Sequence, residues 1–341
     1  MTAASSRPAG PNYSRHLKLA VGLAVSAAFL YATFRTIPFG RVLETLGRAQ
    51  PAWIAGAVAA VAVAYLFKIH RWIVMLRVLG SAVRFRDAAV PFLGGVALNN
   101  VLPFRAGDVI RVVAFQRFTG IPAAGQIGTL VLERLLDLLV LMSILVAAAS
   151  LASAVLDDAL AAGLKLAGVG LAVAIAVFLL APHLIRWVVR AASLRLPQFR
   201  VAGEALLRLS EAVALLTRPA LLVRLIVLSA FAWLAEGTAY WCVGHAIRVA
   251  ADPAASLLAL SVGTLSTIIP SSPGYVGTFH YFTARVVAQF GANAVDAAAF
   301  AVLIHAVLWL STTVTGSALL AMSGLAADGR RTLGPDTPGH S

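Results

Sequence analysis

GGVALNNVLPFRAGDVIRVVAFQR, residues 94–117, decides the fold, because it sets Asn99, Asn100, Pro103 and Gly107 in quick succession inside an otherwise apolar chain. A helix that runs straight through a bilayer has no use for these residues. A helix that stops at mid-membrane and turns back needs them. Such breaks are tolerated only where protein or a watery cavity satisfies the freed backbone groups. The stretch therefore marks a candidate site as well as a fold element.

Composition fixes the class around it. The chain has 341 residues, 60% of them hydrophobic and 12% charged, with a mean hydropathy of +0.88, values that belong to an integral membrane protein. The net charge of +13 would suggest nucleic acid in a soluble protein. Here the arginines fall between apolar runs, where anionic lipid and the positive-inside bias account for them, and no nucleic-acid partner is expected. Cys242 is the single cysteine, so no internal disulfide and no cysteine metal cluster is expected.

Apolar runs predict six crossings: residues 17–34, 52–67, 128–155, 163–181, 221–245 and 297–322. Residues 1–16 and 324–341 read as disordered tails flanking one transmembrane domain, 17–323. Ile69, Trp72, Ile73, Leu76 and Leu79 recur at helical spacing among Arg71, Arg77 and Arg84. They predict a separate helix in the headgroup layer. Residues 186–218 predict a second amphipathic stretch, with Glu204 and Arg208 at pairing distance along it. Residues 256–290 hold a second break at Pro270, Pro273, Gly274 and Gly277. If both broken segments return to their own side, the basic loops and both termini collect in the cytosol, as expected of an inner-membrane protein.

The two breaks align. Val101, Leu102, Pro103 and Gly107 match Ile268, Ile269, Pro270 and Gly274, and the same offset carries the second span onto the fifth and the third onto the sixth. Each half, 17–155 and 163–323, then reads span, span, broken helix, span. Three crossings per half turn the halves opposite ways. The expected fold is an all-α polytopic membrane protein, six crossing helices plus two re-entrant broken helices in an inverted-topology repeat. Such broken helices meet at the substrate site of many transporters; the competing reading is two kinked ordinary spans.

Charges in apolar surroundings nominate the site. Glu133, Arg134 and Asp137 share one turn, either as a functional group or as a structural ion-pair cluster. Arg105, Asp108 and Arg111 flank the first break, and a guanidinium fork suits phosphate; interfacial snorkelling and helix capping are the alternatives. Asn99, Asn100 and Gly107 at the first break, and Pro270, Gly274, Gly277, His280 and Arg285 at the second, complete a candidate lipid headgroup site. Glu236 and His305 lie mid-span, as coupling groups or as buried hydrogen-bonded residues. No nucleophile elbow, P-loop or HExxH zinc motif occurs, so neither enzyme activity nor a metal or cofactor is expected.

NNVLPFRAGDVIR at 99–111, LERLLD at 132–137 and PSSPGYVGTFH at 270–280 together resemble the flippase-like family of the lysylphosphatidylglycerol synthase transmembrane region. Its members are similar to the membrane half of multiple peptide resistance factor. The resemblance implies handling of a phosphate-bearing lipid between leaflets, with Arg105, Gly107, Asp108, Arg111, Glu133, Arg134 and Asp137 at motif positions. Tyr275 after Gly274, and His280 where the family pattern has Glu, depart from it. No soluble aminoacyl-transfer domain is recognisable, so lysylation of lipid is not expected. Two other functions stay open: an intramembrane transferase acting on a lipid-linked substrate, and a scaffold for lipid-synthesis enzymes.

Overall fold

The computed structural model describes residues 13–152 except Phe115, residues 218–249 and 252–332, and isolated helical positions between 162 and 214. The fourth expected span and the amphipathic stretch around Glu204 lie outside the residues it describes as continuous elements. The described residues are helical throughout, without a strand. In chain order the helices are α1 (Tyr13–Phe34), α2 (Phe39–Gly47), α3 (Pro51–Val78), α4 (Phe85–Val101), α5 (Ala106–Ala114), α6 (Gln116–Thr119), α7 (Ala123–Leu151), α8 (Pro219–Ala246), α9 (Pro253–Ser266), α10 (Thr278–Gln289) and α11 (Ala294–Thr332). Helix thus extends into both segments read as tails.

Three described helices are long and apolar enough to cross a membrane: α3, α8, and α11 from Ala294 to Gly324. A fourth span arises if α1 and α2, bent by 78°, act as one. At 29 residues α7 has the length to cross, but it carries Glu133, Arg134 and Asp137.

The separate headgroup-layer helix expected over residues 69–79 is corrected. It is the continuation of α3, which begins on Pro51 at its first turn and ends at Val78. There Gly80, with φ of 96°, donates to Arg77 O, and Ser81 donates to Leu76 O, both at 3.0 Å, a glycine-terminated helix end. Its basic residues do not share one exposed face: Arg71 is fully buried against neighbouring helices, while Arg77 and, beyond the helix end, Arg84 are exposed.

α3 and α8 pack antiparallel along their length. Trp53 meets Trp241 and His245 at one end, and Arg71 meets Ser229 toward the other. α4 and α11 form a second antiparallel pair, held close by Gly316. A Cβ there would run into Leu93 O, so the small residue sets the approach, as membrane packing requires.

Both breaks reverse the chain. After Leu102 a short 3-10 turn, Pro103–Arg105, leads into α5, which folds back so that Gly107 lies against Gly95 and Asn99. After α9 the chain turns through Pro270–Gly277, and α10 returns with Thr283 and Phe279 against Gly263. Helix α1 braces this second turn: Ser272 donates its backbone N–H to Ser26 Oγ at 2.8 Å, and Phe29 rests on Tyr281 and Phe282.

Candidate functional site

Where the two turns approach each other, a cavity of about 200 Å³ opens, walled by α3, α4, α7, α8, α9, α10 and α11. Asn99, Asn100, Arg105, Glu133, Arg134, Asp137, Glu236, Gly274 and His305, all named from the sequence, line it. So do Tyr65, Lys68, Trp233, Thr264, Thr267, Tyr275, Trp309 and Thr312, which sequence reasoning missed. Lys68 and Arg71 gave a readable signal, since two cations three residues apart on an apolar helix demand internal partners.

Paired charges surround the cavity. Lys68 Nζ lies 2.5 Å from Glu236 Oε2 and 4.0 Å from the Trp233 ring centre. Arg71 donates to Asp137 Oδ1 and to Ser229 Oγ, each at 2.7 Å, and Trp233 Nε1 donates to the same Asp137 oxygen at 3.1 Å. Arg111 reaches Glu133 Oε2 at 3.1 Å with its guanidinium over Trp72 and Phe92. Arg134 spreads among Asp108, Glu133 and Asp137 at 3.2–3.7 Å. In such pairs attraction must repay desolvation, and losing one partner strands the other.

Arg105 differs from these four cations. Its Nε donates to Tyr275 Oη at 3.0 Å and its NH2 to Thr267 Oγ1 at 3.1 Å, so the partners found for it among the described residues are neutral. Arg105 and Tyr275 also stand at φ of 52° and 58°, two of the three non-glycine residues in left-handed backbone among the described residues. Non-glycine residues held there cost about 1–3 kcal/mol and cluster at functional sites. The turn geometry aims each side chain at the other across the breaks.

Several expectations are corrected by these contacts. Glu133 and Asp137 are engaged in ion pairs, with Arg111, Arg71 and Arg134. Arg111 is buried and does not line the cavity. Asp108 does not cap α5: the Asn99 side chain accepts from Asp108 N at 3.1 Å and donates to its carboxylate at 2.9 Å. Gly107 serves by its lack of a side chain. Pro270 lines a neighbouring recess beside Arg105. His280 stacks on His305 with ring centres 4.6 Å apart, one layer behind the cavity, and its Nδ1 faces Gly277 N at 3.4 Å. Gly277 lies outside the lining, and Arg285 sits on the exposed side of α10, away from it.

Fold and site define an all-helical, polytopic membrane protein with a charge-walled central cavity. The lysylphosphatidylglycerol synthase transmembrane region family model matches residues 19–316, and the chain belongs to that family. It is 29% identical to Glycosyltransferase AglD of Haloferax volcanii over 90% of its own length and 54% of the relative's. It is 24% identical to the UPF0104 membrane protein MJ1595 of Methanocaldococcus jannaschii over 35% of its length and 36% of the relative's. The chain thus spans about half, or less, of these relatives. The expectation of a non-enzymatic transporter is corrected here: a relative matched along nine tenths of the chain is named a glycosyltransferase.

Proposed function

We propose that the central cavity binds the phosphate of a lipid or lipid-linked substrate, and that the chain moves or holds this substrate between leaflets in the service of group transfer. The observation carrying this reading is Arg105. Among the described residues, five cations, Lys68, Arg71, Arg105, Arg111 and Arg134, stand around the cavity against four carboxylates, Asp108, Glu133, Asp137 and Glu236. The cation left with neutral partners is a planar fork suited to phosphate. Tyr275 and Thr267 hold that fork without neutralising it. Arg134, with 41% of its side chain exposed, is the second cation within reach of an incoming anion.

In the same reading the two reversing turns are re-entrant, the halves 17–155 and 163–323 form an inverted repeat with six crossings, and both termini face the cytosol of the cell membrane. Half-helices ending at mid-depth present backbone dipoles to the substrate. The test is scrambling of headgroup-labelled phospholipid in proteoliposomes. Arg105→Ala is expected to abolish it while helicity and the elution profile stay unchanged; undiminished scrambling by the variant overturns the proposal.

The relation to a named glycosyltransferase favours a second reading, in which the chain forms the lipid-side half of a transferase site. Covalent change then accompanies binding. Mass spectrometry of lipids after incubation separates the two: a lipid of altered mass supports transfer, and redistribution without mass change supports movement alone.

A further inference from the structure

Beside the polar cavity lies a much larger apolar groove of about 1160 Å³, above the roughly 300–1,000 Å³ of ordinary small-ligand pockets. Helices α3 and α11 form its sides and α4 its floor, with Val58, Leu66, Val90, Leu93 and Leu319 among its lining. Leu66 is 51% exposed and Met322 64%, so the groove is open laterally, where a membrane would supply hydrocarbon. Its wall runs from Val58 to Ile69 on α3 and from Ser311 to Ser323 on α11, about 16–18 Å at ~1.5 Å per helical residue. That is close to one leaflet, half of the roughly 30 Å hydrocarbon core.

The groove has chemically distinct ends. Arg84, Arg86 and Asp87 stand at one, with Met322 and Ser323 beside them. Both arginines are exposed, and the ion pairs found among the described residues do not include them. Further in, Tyr65 and Thr312 line both the groove and the polar cavity, and Thr312 accepts from Asn100 Nδ2 at 3.0 Å. An amphiphile lying in its own leaflet thus finds basic side chains at headgroup depth, hydrocarbon along its tail, and a polar doorway beside that tail.

We propose that this groove is a docking site for one acyl chain of an anionic glycerophospholipid, its phosphate at Arg84 and Arg86, from which lipid reaches the central cavity past Tyr65 and Thr312. The inference rests on the reading that the cavity takes a phosphate-bearing lipid. It names the tail as a diacyl lipid's, since the groove ends after one leaflet's depth and a longer polyprenyl chain would overrun it.

The full chain in phosphatidylcholine nanodiscs is photolysed with phosphatidylglycerol bearing a diazirine at the acyl terminus, and adducts are mapped by mass spectrometry. Adducts are expected to concentrate on the groove residues of α3, α4 and α11. Arg84→Glu with Arg86→Glu is expected to lower their yield about tenfold or more, since each juxtamembrane basic residue is worth about 1 kcal/mol to an anionic lipid. Leu66→Trp, an exposed position, blocks labelling without touching the core. Adducts spread equally over the lipid-facing side of α8, equal labelling by a phosphate-free diacylglycerol probe, or preference for a polyprenyl phosphate probe would each overturn the proposal. Arg105→Ala is run in parallel and leaves groove labelling unchanged, so failure of the groove and failure of the cavity are read separately.

Discussion

The two breaks start from a similar apolar-Pro-x-x-x-Gly pattern and do different work. The first is short, a single 3-10 turn from Pro103 to Arg105, and it is rich in charge: Arg105, Asp108 and Arg111 all follow within it or just beyond. The second runs longer, from Thr267 to Gly277, with Gly274, Tyr275 and Gly277 all at positive φ and without a charged side chain. It supplies hydroxyls instead. Tyr275 Oη and Thr267 Oγ1 accept from Arg105, and Gly274 lies close to the Trp309 ring and to Asn100 O. One turn brings the cation and the other positions it while leaving its charge unspent. Two turns built on a similar proline–glycine pattern can thus serve as binder and holder.

The comparison breaks most visibly at the charges behind the first turn. Arg71→Ala removes the nearest cation from buried Asp137, leaving it Trp233 and the more distant Arg134, and is expected to lower stability by up to about 3–5 kcal/mol, measured by thermal unfolding in detergent; an unchanged midpoint would mean the pair is not sealed. Next comes Arg105 itself. Its replacement by alanine is expected to remove about 1.5–3 kcal/mol of phosphate binding, the worth of hydrogen bonds to a charged group, read by titration with a short-chain phospholipid, while stability changes far less than for Arg71→Ala. Gly107→Ala sharpens the geometry of the first turn. The new Cβ would run into Gly95 O and lie 2.7 Å from Asn99 N, and overpacking of this kind costs about 1–3 kcal/mol.

The holder is expected to give the smallest effect. Tyr275→Phe deletes one neutral acceptor, a loss of about 0.5–1.5 kcal/mol in phosphate binding, with Arg105→Lys weaker than wild type because an ammonium cannot keep the fork. If Tyr275→Phe matched Arg105→Ala in its effect on binding, the division between the two turns would be wrong.

Much of the site was legible in residues that contradict their surroundings. Pro103 and Gly107 announced the first turn, Pro270 and Gly274 the second, and Glu236 inside an apolar run announced a buried partner. Glu133, Arg134 and Asp137 were visible as a cluster. What could not be read was pairing. Lys68 and Arg71 signal a need for internal partners, but nothing along the chain says which carboxylates they meet. In the folded chain they are interior ligands of Glu236 and Asp137, the latter contributed by α7. Arg285 looked like the second turn's counterpart to Arg105 and lies on the outer side of α10 instead, since helical phase relative to neighbours, not distance from a proline, decides which way a side chain points.

By itself the sequence determined that this is a helical membrane protein interrupted twice by turns, because hydropathy and proline–glycine chemistry act locally along the chain. Tertiary structure alone decided which carboxylate each cation meets, that Arg105 is held by neutral hydroxyls, and that an apolar groove opens beside the cavity through Tyr65 and Thr312. Those outcomes depend on distances of a few ångströms between helices far apart in sequence, such as the 2.5 Å between Lys68 and Glu236, and residue order alone does not contain those distances.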